Sequence, residues 1–236
     1  ATVAIGSPWY EDEFRYAYTD YDPDKANQML DALGLDKRDS EGFRLLPDGR
    51  RLSLVILVFT PFPPSSVEIQ ELVKAQWAKV GVEMIVKPTD RLLWVQQVHA
   101  LEHDIASYIM NMGHLTQTPL ELNQIAPISE GSQHWAPQWG LWYESGGKQG
   151  EEPPEEVKQL QKLREQALEE SNAEKRNQII KDMLRIHAKN CYFLGIVNES
   201  DYGRWMVVNK NLGNVPDRIP GTNAVAMYTC LLFFKK

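Results

Sequence analysis

The sequence predicts an α/β fold: a mixed, largely parallel sheet flanked by helices. Three observations carry that prediction. Residues 52–111 read strand, helix, strand, helix, strand, and parallel strands need connections long enough to cross a face of the sheet, usually as a helix. The first strand, Leu52-Ser53-Leu54-Val55-Ile56-Leu57-Val58-Phe59, is an apolar run with almost no polar alternation, which suits a strand covered on both faces. The punctuation agrees, because Pro61, Pro63 and Pro64 stop that run, Gly81 ends the helix after it and Pro88 breaks the second strand.

Taken in order, residues 1–21 carry Trp9, Tyr10, Phe14, Tyr16, Tyr18 and Tyr21 among charges with no sustained period, and read as an extended aromatic lead-in. Asp22-Pro23 is an N-cap followed by proline at the first helical position. Ala26, Met29, Leu30 and Leu33 fall at helical spacing before Gly34, the expected stop. Residues 35–51 form a polar connection with a hairpin, Phe43–Leu46 turning at Pro47-Asp48-Gly49 into the first strand. Ser65 and Glu68 make a capping-box pair for the next helix, with Ile69, Leu72, Val73, Trp77 and Val80 as its inward stripe. Residues 82–86 are the second strand. Asp90 caps a helix through Ala100, and residues 104–111 return as the third strand.

Residues 115–149 read as irregular, with a short helix over 119–125 and a flexible exit at 145–150. Pro153-Pro154 starts a helix with Val157, Leu160, Leu163, Ala167 and Leu168 inward, its first turn rich in glutamate. Ser171 or Asn172 caps a second, with Ile179, Ile180, Met183, Leu184 and His187 inward, so that residues 153–190 form a helical hairpin. Residues 191–197 and 204–208 have strand composition, 211–221 reads as loop and 224–234 as a closing strand.

Composition excludes several classes. The 236 residues provide ample apolar content for a core, while the net charge of −7 and pI near 5.3 argue against nucleic-acid binding. No apolar run reaches membrane-span length, and the first residues do not read as a signal peptide. Cys191 and Cys230 leave both a single bridge and two free thiols open.

His99-Ala100-Leu101-Glu102-His103 matches an inverted zinc-protease pattern, but it falls where its helix should end and no third ligand stands out. The cluster Asp36, Asp39, Glu41 lacks the alternating ligands of a calcium loop and reads as a solvated turn. No nucleophile elbow or phosphate-binding glycine loop is present, so no cofactor is expected. The positive signal is Trp135, Trp139, Trp142 and Tyr143, flat apolar faces suited to stacking on sugars or enclosing peptide side chains; packing of the long loop is the competing reading. In a parallel sheet the ligand-facing positions are the carboxyl ends of the strands, here residues 60–63, including Phe62, and residues 111–114.

Tyr21-Asp22-Pro23-Asp24-Lys25-Ala26-Asn27-Gln28-Met29-Leu30, Gly42-Phe43-Arg44, Pro47-Asp48-Gly49-Arg50-Arg51-Leu52 and Leu72-Val73-Lys74-Ala75-Gln76-Trp77-Ala78-Lys79-Val80-Gly81-Val82 together resemble the family 5 extracellular solute-binding proteins, the peptide, nickel and oligosaccharide receptors of bacterial ABC importers. The resemblance continues through His103-Asp104-Ile105-Ala106, Ser145-Gly146-Gly147 and Asn214-Val215-Pro216. It implies a type II periplasmic-binding-protein fold, a ligand held between lobes, no catalysis, permease subunits as partners, a monomer, and a location outside the cytoplasmic membrane. The matching motifs belong to the C-terminal half of longer family members. Residues 22–236 are therefore expected to be the C-terminal lobe, and residues 1–21 a lead-in from an N-terminal part. Where peptide-binding members carry an aspartate for the peptide's amino group, this chain has Met112-Gly113-His114-Leu115-Thr116-Gln117. That departure favours a neutral ligand, with Asn111, His114, Gln117 and Trp135 offering hydrogen bonds and stacking, and keeps peptide as the other option. The alternatives are a metal-dependent hydrolase using His99, Glu102 and His103, and a ligand-sensing domain of a regulator.

Overall fold

The computed structural model describes residues 7–60, 66–108, 119–131, 135–196, 210–214 and 233–234. They belong to two compact units. One comprises Asp20–Ile109 and Ser129–Glu151, the other Ala1–Thr19, Met110–Ile128 and Glu152–Lys236.

The first unit is built on β1 (Ser53–Phe59), with β2 (Glu83–Thr89) and β3 (Ile105–Ser107) parallel to it on either side. Side-chain alternation splits β1 between two cores. Ile56 and Val58 join Met84 under α3 (Ser66–Lys79), against Val67, Val73 and Trp77. Leu57 joins Trp94 and Val98 of α4 (Arg91–His99), with Phe59, Val95 and Ala106 alongside. A strand covered on both faces has no use for polar alternation, which is why the run is uniformly apolar.

Several expectations need correcting in this unit. Pro88 does not break β2; the strand runs through it to Thr89. Among the described strands β2 lies at one edge of the β2-β1-β3 order, a position that tolerates proline. The inward stripe of α3 is Ser66, Gln70, Val73 and Trp77, and Leu72 is exposed. Ser65, the expected cap, lies outside the described residues.

Helix α2 (Pro23–Ala32) starts as expected, the Asp22 carboxylate accepting from the Lys25 N–H at 2.8 Å, and it ends at Gly34 with φ +79°. Its apolar stripe does not hold it down, because none of its residues is fully buried and Met29 and Leu33 are exposed. Arg44 does that instead. Its guanidinium, 1% exposed, donates to Asp31, to Asn27 Oδ1 and to the carbonyls of Leu35 and Val80. Gly81 stops α3 with φ +84°, and a Cβ there would run into the side chains of Arg38 and Arg44. The acidic turn finds its purpose nearby, where Asp39, Glu41 and Glu83 all pair with Arg51.

The tryptophan segment is helical rather than irregular: α5 spans Pro137–Glu144 with proline in its first turn. The exit after it is tied down rather than flexible. The Ser145 hydroxyl accepts from the N–H groups of Lys148 and Gln149, and Gly147 N–H bonds Trp142 O at 2.8 Å.

In the second unit, α6 (Glu155–Glu169) and α7 (Ala173–Asn190) pack as a hairpin, burying Val157, Leu160 and Ala167 against Ile180, Met183 and Leu184. Leu168 is exposed, a correction to the expected stripe. Asn172 Oδ1 caps α7 with bonds from the N–H groups of Glu174 and Lys175. The lead-in is not simply extended. It carries α1 (Asp12–Tyr16), buries Trp9 and Phe14, and docks on α7 through Glu11 with Lys181 and Arg185.

Residues 191–196 are not a strand. Cys191, an exposed free cysteine with φ 52°, terminates α7, and the rings of Tyr192 and Phe193 turn back onto His187. Their strand-like composition serves side-chain packing, which overrides propensity. Leu212–Gly213, expected as loop, pairs antiparallel with Phe233–Phe234 as β4 and β5. Residues 204–208, Cys230 and most of 224–234 lie outside the described residues. Among the described residues, no helix is long and apolar enough to cross a membrane.

Candidate functional site

The three parallel strands all end at one edge, and the residues there come from β1, β2, β3 and the first turns of α3 and α4. Strand alternation divides them between the faces. On the α3 side, the Gln70 amide is buried at 4% exposure and donates from Nε2 to Ser107 Oγ at 3.2 Å; its Oε1 has no hydrogen-bond partner. Ser66 Oγ donates to Phe59 O at 3.3 Å, anchoring the start of α3 to the end of β1.

On the α4 side, Phe59 and Tyr108 lie nearly parallel with ring centroids 6.0 Å apart. The fully buried Trp94 braces Tyr108 from below at 5.0 Å. Tyr108 itself stays 39% exposed. Thr89, opposite Phe59 in the register, has a buried hydroxyl without a partner, while its carbonyl accepts from both the N–H and the hydroxyl of Thr60. Asp90 spends Oδ1 on the N–H groups of Leu92 and Leu93, capping α4. Glu68, Asp90 and Arg91, the charged side chains of these first turns, are exposed. The buried side chains that the described residues bring to this edge are aromatic and neutral polar, and its charged ones lie in solvent.

Of the residues singled out from sequence, Phe62, Asn111, His114 and Gln117 lie outside the described residues. Trp135, Trp139 and Trp142 are described and half-buried. Trp135 and Trp139 meet edge to face at 6.2 Å, and Trp142 lies over Gly147. Helix α5, which carries Trp139 and Trp142, packs on α4, with Gln138 Nε2 3.5 Å from the carbonyl of His99. His99 is the last residue of α4, so this contact ties α5 to the end of α4 that precedes β3. The described geometry thus pairs Trp135 with Trp139 and gathers a second aromatic set, Phe59, Tyr108 and Trp94, at the strand ends.

The sequence pattern does not mark that second set, because Phe59 and Tyr108 fall within strand runs and Gln70 within a helix. A signal existed, since a glutamine in the inward stripe of an amphipathic helix is a polar group at a core position.

The His99, Glu102, His103 motif is dispersed by backbone geometry. Helix α4 ends at His99, and Leu101 turns the chain with φ 56°. Glu102 accepts from Gln97 Nε2 at 3.3 Å. Burial pushes the His103 imidazole below its ordinary pKa, opposed by a hydrogen bond with the Gln97 backbone and the nearby Asp104. Among the described residues, no three His, Cys, Asp or Glu side chains cluster as a metal would require. Two shallow hollows are lined by other residues. One, about 720 Å³, runs along α6 by Glu155, Lys158, Lys162 and Lys189; the other, about 240 Å³, lies beside β2 by Phe43, Lys74 and Met84.

Comparison with known proteins gives a consistent result. The sequence model described as "Bacterial extracellular solute-binding proteins, family 5 Middle" matches residues 1–123. Among solved structures, the chain is similar to the oligopeptide-binding protein OppA, at 31% identity and TM-score 0.70, over 81% of this chain and 32% of that one. It shares its fold with the periplasmic binding protein MelB of Agrobacterium fabrum C58 in complex with stachyose, at 17% identity and TM-score 0.65, over 81% of this chain and 28% of that one. A mannohexaose-bound periplasmic oligopeptide-binding protein of Thermotoga maritima aligns at 18% identity and TM-score 0.54, over 79% of this chain and 33% of that one. The aligned region spans about a third of the length of these proteins. Among curated protein sequences none matches.

Proposed function

The chain belongs to the bacterial extracellular solute-binding proteins of family 5, and from that premise we propose that it is part of the substrate-binding component of an ABC importer. In this reading it captures an oligopeptide or oligosaccharide outside the cytoplasmic membrane and delivers it to permease subunits, acting as a monomer and closing on its ligand by hinge motion. Residues 22–236 are taken together as its ligand-binding portion. It is a binding protein rather than an enzyme, in keeping with its family and with the similar structures.

The observation that carries the reading is the strand-end edge of the β2-β1-β3 sheet. An exposed, braced aromatic platform and unsatisfied neutral polar groups converge there, at the place where open α/β sheets hold ligands. Phe62, Asn111, His114, Gln117, Trp135, Trp139 and Trp142 are proposed as further ligand contacts. Titration calorimetry of the chain against panels of oligopeptides and oligosaccharides tests the reading. Saturable binding of at least one panel is expected; absence of binding to both up to millimolar ligand would refute it.

A further inference from the structure

We infer that Asp48–Gly49 is a latent isomerisation site, the point at which this chain converts to isoaspartate, and that Arg50 and the hairpin turn hold the reaction in check. The chain contains one Asp-Gly step and no Asn-Gly. Glycine carries no side chain to shield its own nitrogen, so ring closure is easiest there. The Gly49 nitrogen attacks the Asp48 carboxyl carbon, a C–N bond forms, and the carboxyl hydroxyl leaves with the nitrogen's proton as water. Water then opens the five-membered succinimide; opening at the main-chain carbonyl gives isoaspartate, in which the chain runs through the side-chain carbon. No oxidant or cofactor enters the balance.

The position is open to this chemistry. Asp48, Gly49 and Arg50 are exposed, and nothing lies within 4 Å of where a Gly49 side chain would project. The turn nevertheless requires the glycine, because residue 49 sits at φ +86°. What opposes the reaction is a set of bonds centred on residue 50. The Arg50 N–H donates to Asp48 Oδ1 at 3.0 Å, and the guanidinium reaches Oδ2 from Nε at 2.7 Å and from Nη2 at 2.7 Å. The Arg50 N–H and then its guanidinium hold the Asp48 carboxyl below the ordinary carboxylate range. A carboxylate ionised in this way presents no neutral hydroxyl to leave. The nucleophile is held too: Gly49 N–H donates to Leu46 O at 2.8 Å, and Leu46 N–H donates to Arg50 O at 2.7 Å.

Isomerisation would reach beyond the turn. The extra main-chain carbon displaces residue 50 and the bridge between Leu45 and Arg51 behind it. Arg51 pairs with Asp39, Glu41 and Glu83, and Leu52 O accepts from Glu83 N–H at 3.1 Å where the chain enters β1. Chemical ageing at an exposed turn is thereby linked to the seam between β1 and β2.

The test is prolonged warm incubation of the full chain at neutral pH, in buffer and in urea, for wild type and the variants Arg50→Ala, Arg50→Lys and Asp48→Glu. Isoaspartate is measured by methyltransferase labelling and located by peptide mapping, through resistance to cleavage before residue 48. Native wild type should convert slowly, and the unfolded chain about 10-fold faster or more, because unfolding frees both reacting groups. In buffer R50A should convert about 2- to 5-fold faster than wild type, with R50K between them, since lysine keeps a cation without the two-point grip. In urea the three should converge, because the clamp exists only in the fold. D48E should give no label at residue 48, since glutamate closes only a larger ring. Arg50 is exposed, so its variants are expected to fold; if R50A melts lower than wild type, R50K carries the comparison. Absence of isoaspartate at residue 48 even in urea, equal rates in buffer and urea, or Arg50 variants indistinguishable from wild type in buffer would overturn the inference.

Discussion

His187 provides a sharp physical test of the second unit. Its imidazole, 6% exposed, points Nε2 at the Ile125 carbonyl from 2.6 Å and stacks on Phe193 at 4.5 Å, with Tyr192 edge-on. Burial pushes its pKa down to about 4, the Ile125 carbonyl opposing only in part. In the unfolded chain the group titrates near 6.5. Between those values the unfolded chain binds a proton that the native fold refuses, so stability rises with pH across the window. The contribution is complete above pH 6.5 and is lost as pH falls, by about 2 kcal/mol at pH 5 and about 3 kcal/mol at pH 4. Carboxylates also titrate in this range, so the informative quantity is a difference. Urea unfolding of wild type and His187→Gln, which keeps a side-chain donor for Ile125, should give stabilities that converge as pH drops from 7 to 4. An NMR titration should place the folded-state midpoint near 4. Parallel stability profiles, or a folded midpoint near 6.5, would refute the argument.

Arg44→Met should cost about 3 kcal/mol in urea unfolding of the first unit, since it strands the Leu35 and Val80 carbonyls and frees α2, which has no buried stripe to hold it. Gly81→Ala should destabilise by about 1–2 kcal/mol or more, because φ +84° is strained for alanine and its Cβ meets Arg38 and Arg44. Gly150→Ala should behave likewise, with its Cβ directed at the Gln138 carbonyl; melting temperatures check both. Asn172→Ala should lose about 1 kcal/mol through the α7 cap, read as faster amide exchange at Glu174 and Lys175.

Local chemistry was legible wherever the determining groups are close in sequence. The α2 and α4 caps at Asp22 and Asp90, the stops at Gly34 and Gly81, and the two crossovers between parallel strands all depend on residues within a few positions of one another. The inward faces of α6 and α7 were legible for the same reason, apart from Leu168, because a helical hairpin buries the stripe its own period defines.

What only the tertiary structure decided involves groups far apart in the chain. Arg44 holds α2 through partners as distant as Val80, so the apolar period of that helix misled about what anchors it. Pro88 is tolerated because β2 is an outer strand, and edge position is a property of the assembled sheet. Residues 191–196 have the composition of a strand but pair with none among the described residues, and the rings of Tyr192 and Phe193 cover His187 instead. The strand-end platform has the same origin. Phe59, Trp94 and Tyr108 read as ordinary core aromatics one at a time, and they meet only when parallel register brings the ends of β1 and β3 beside α4. Sequence determined the crossover strands, most helices and the family, since these are written in short-range pattern; the faces those elements share, and thus the site, follow from pairings that no local pattern records.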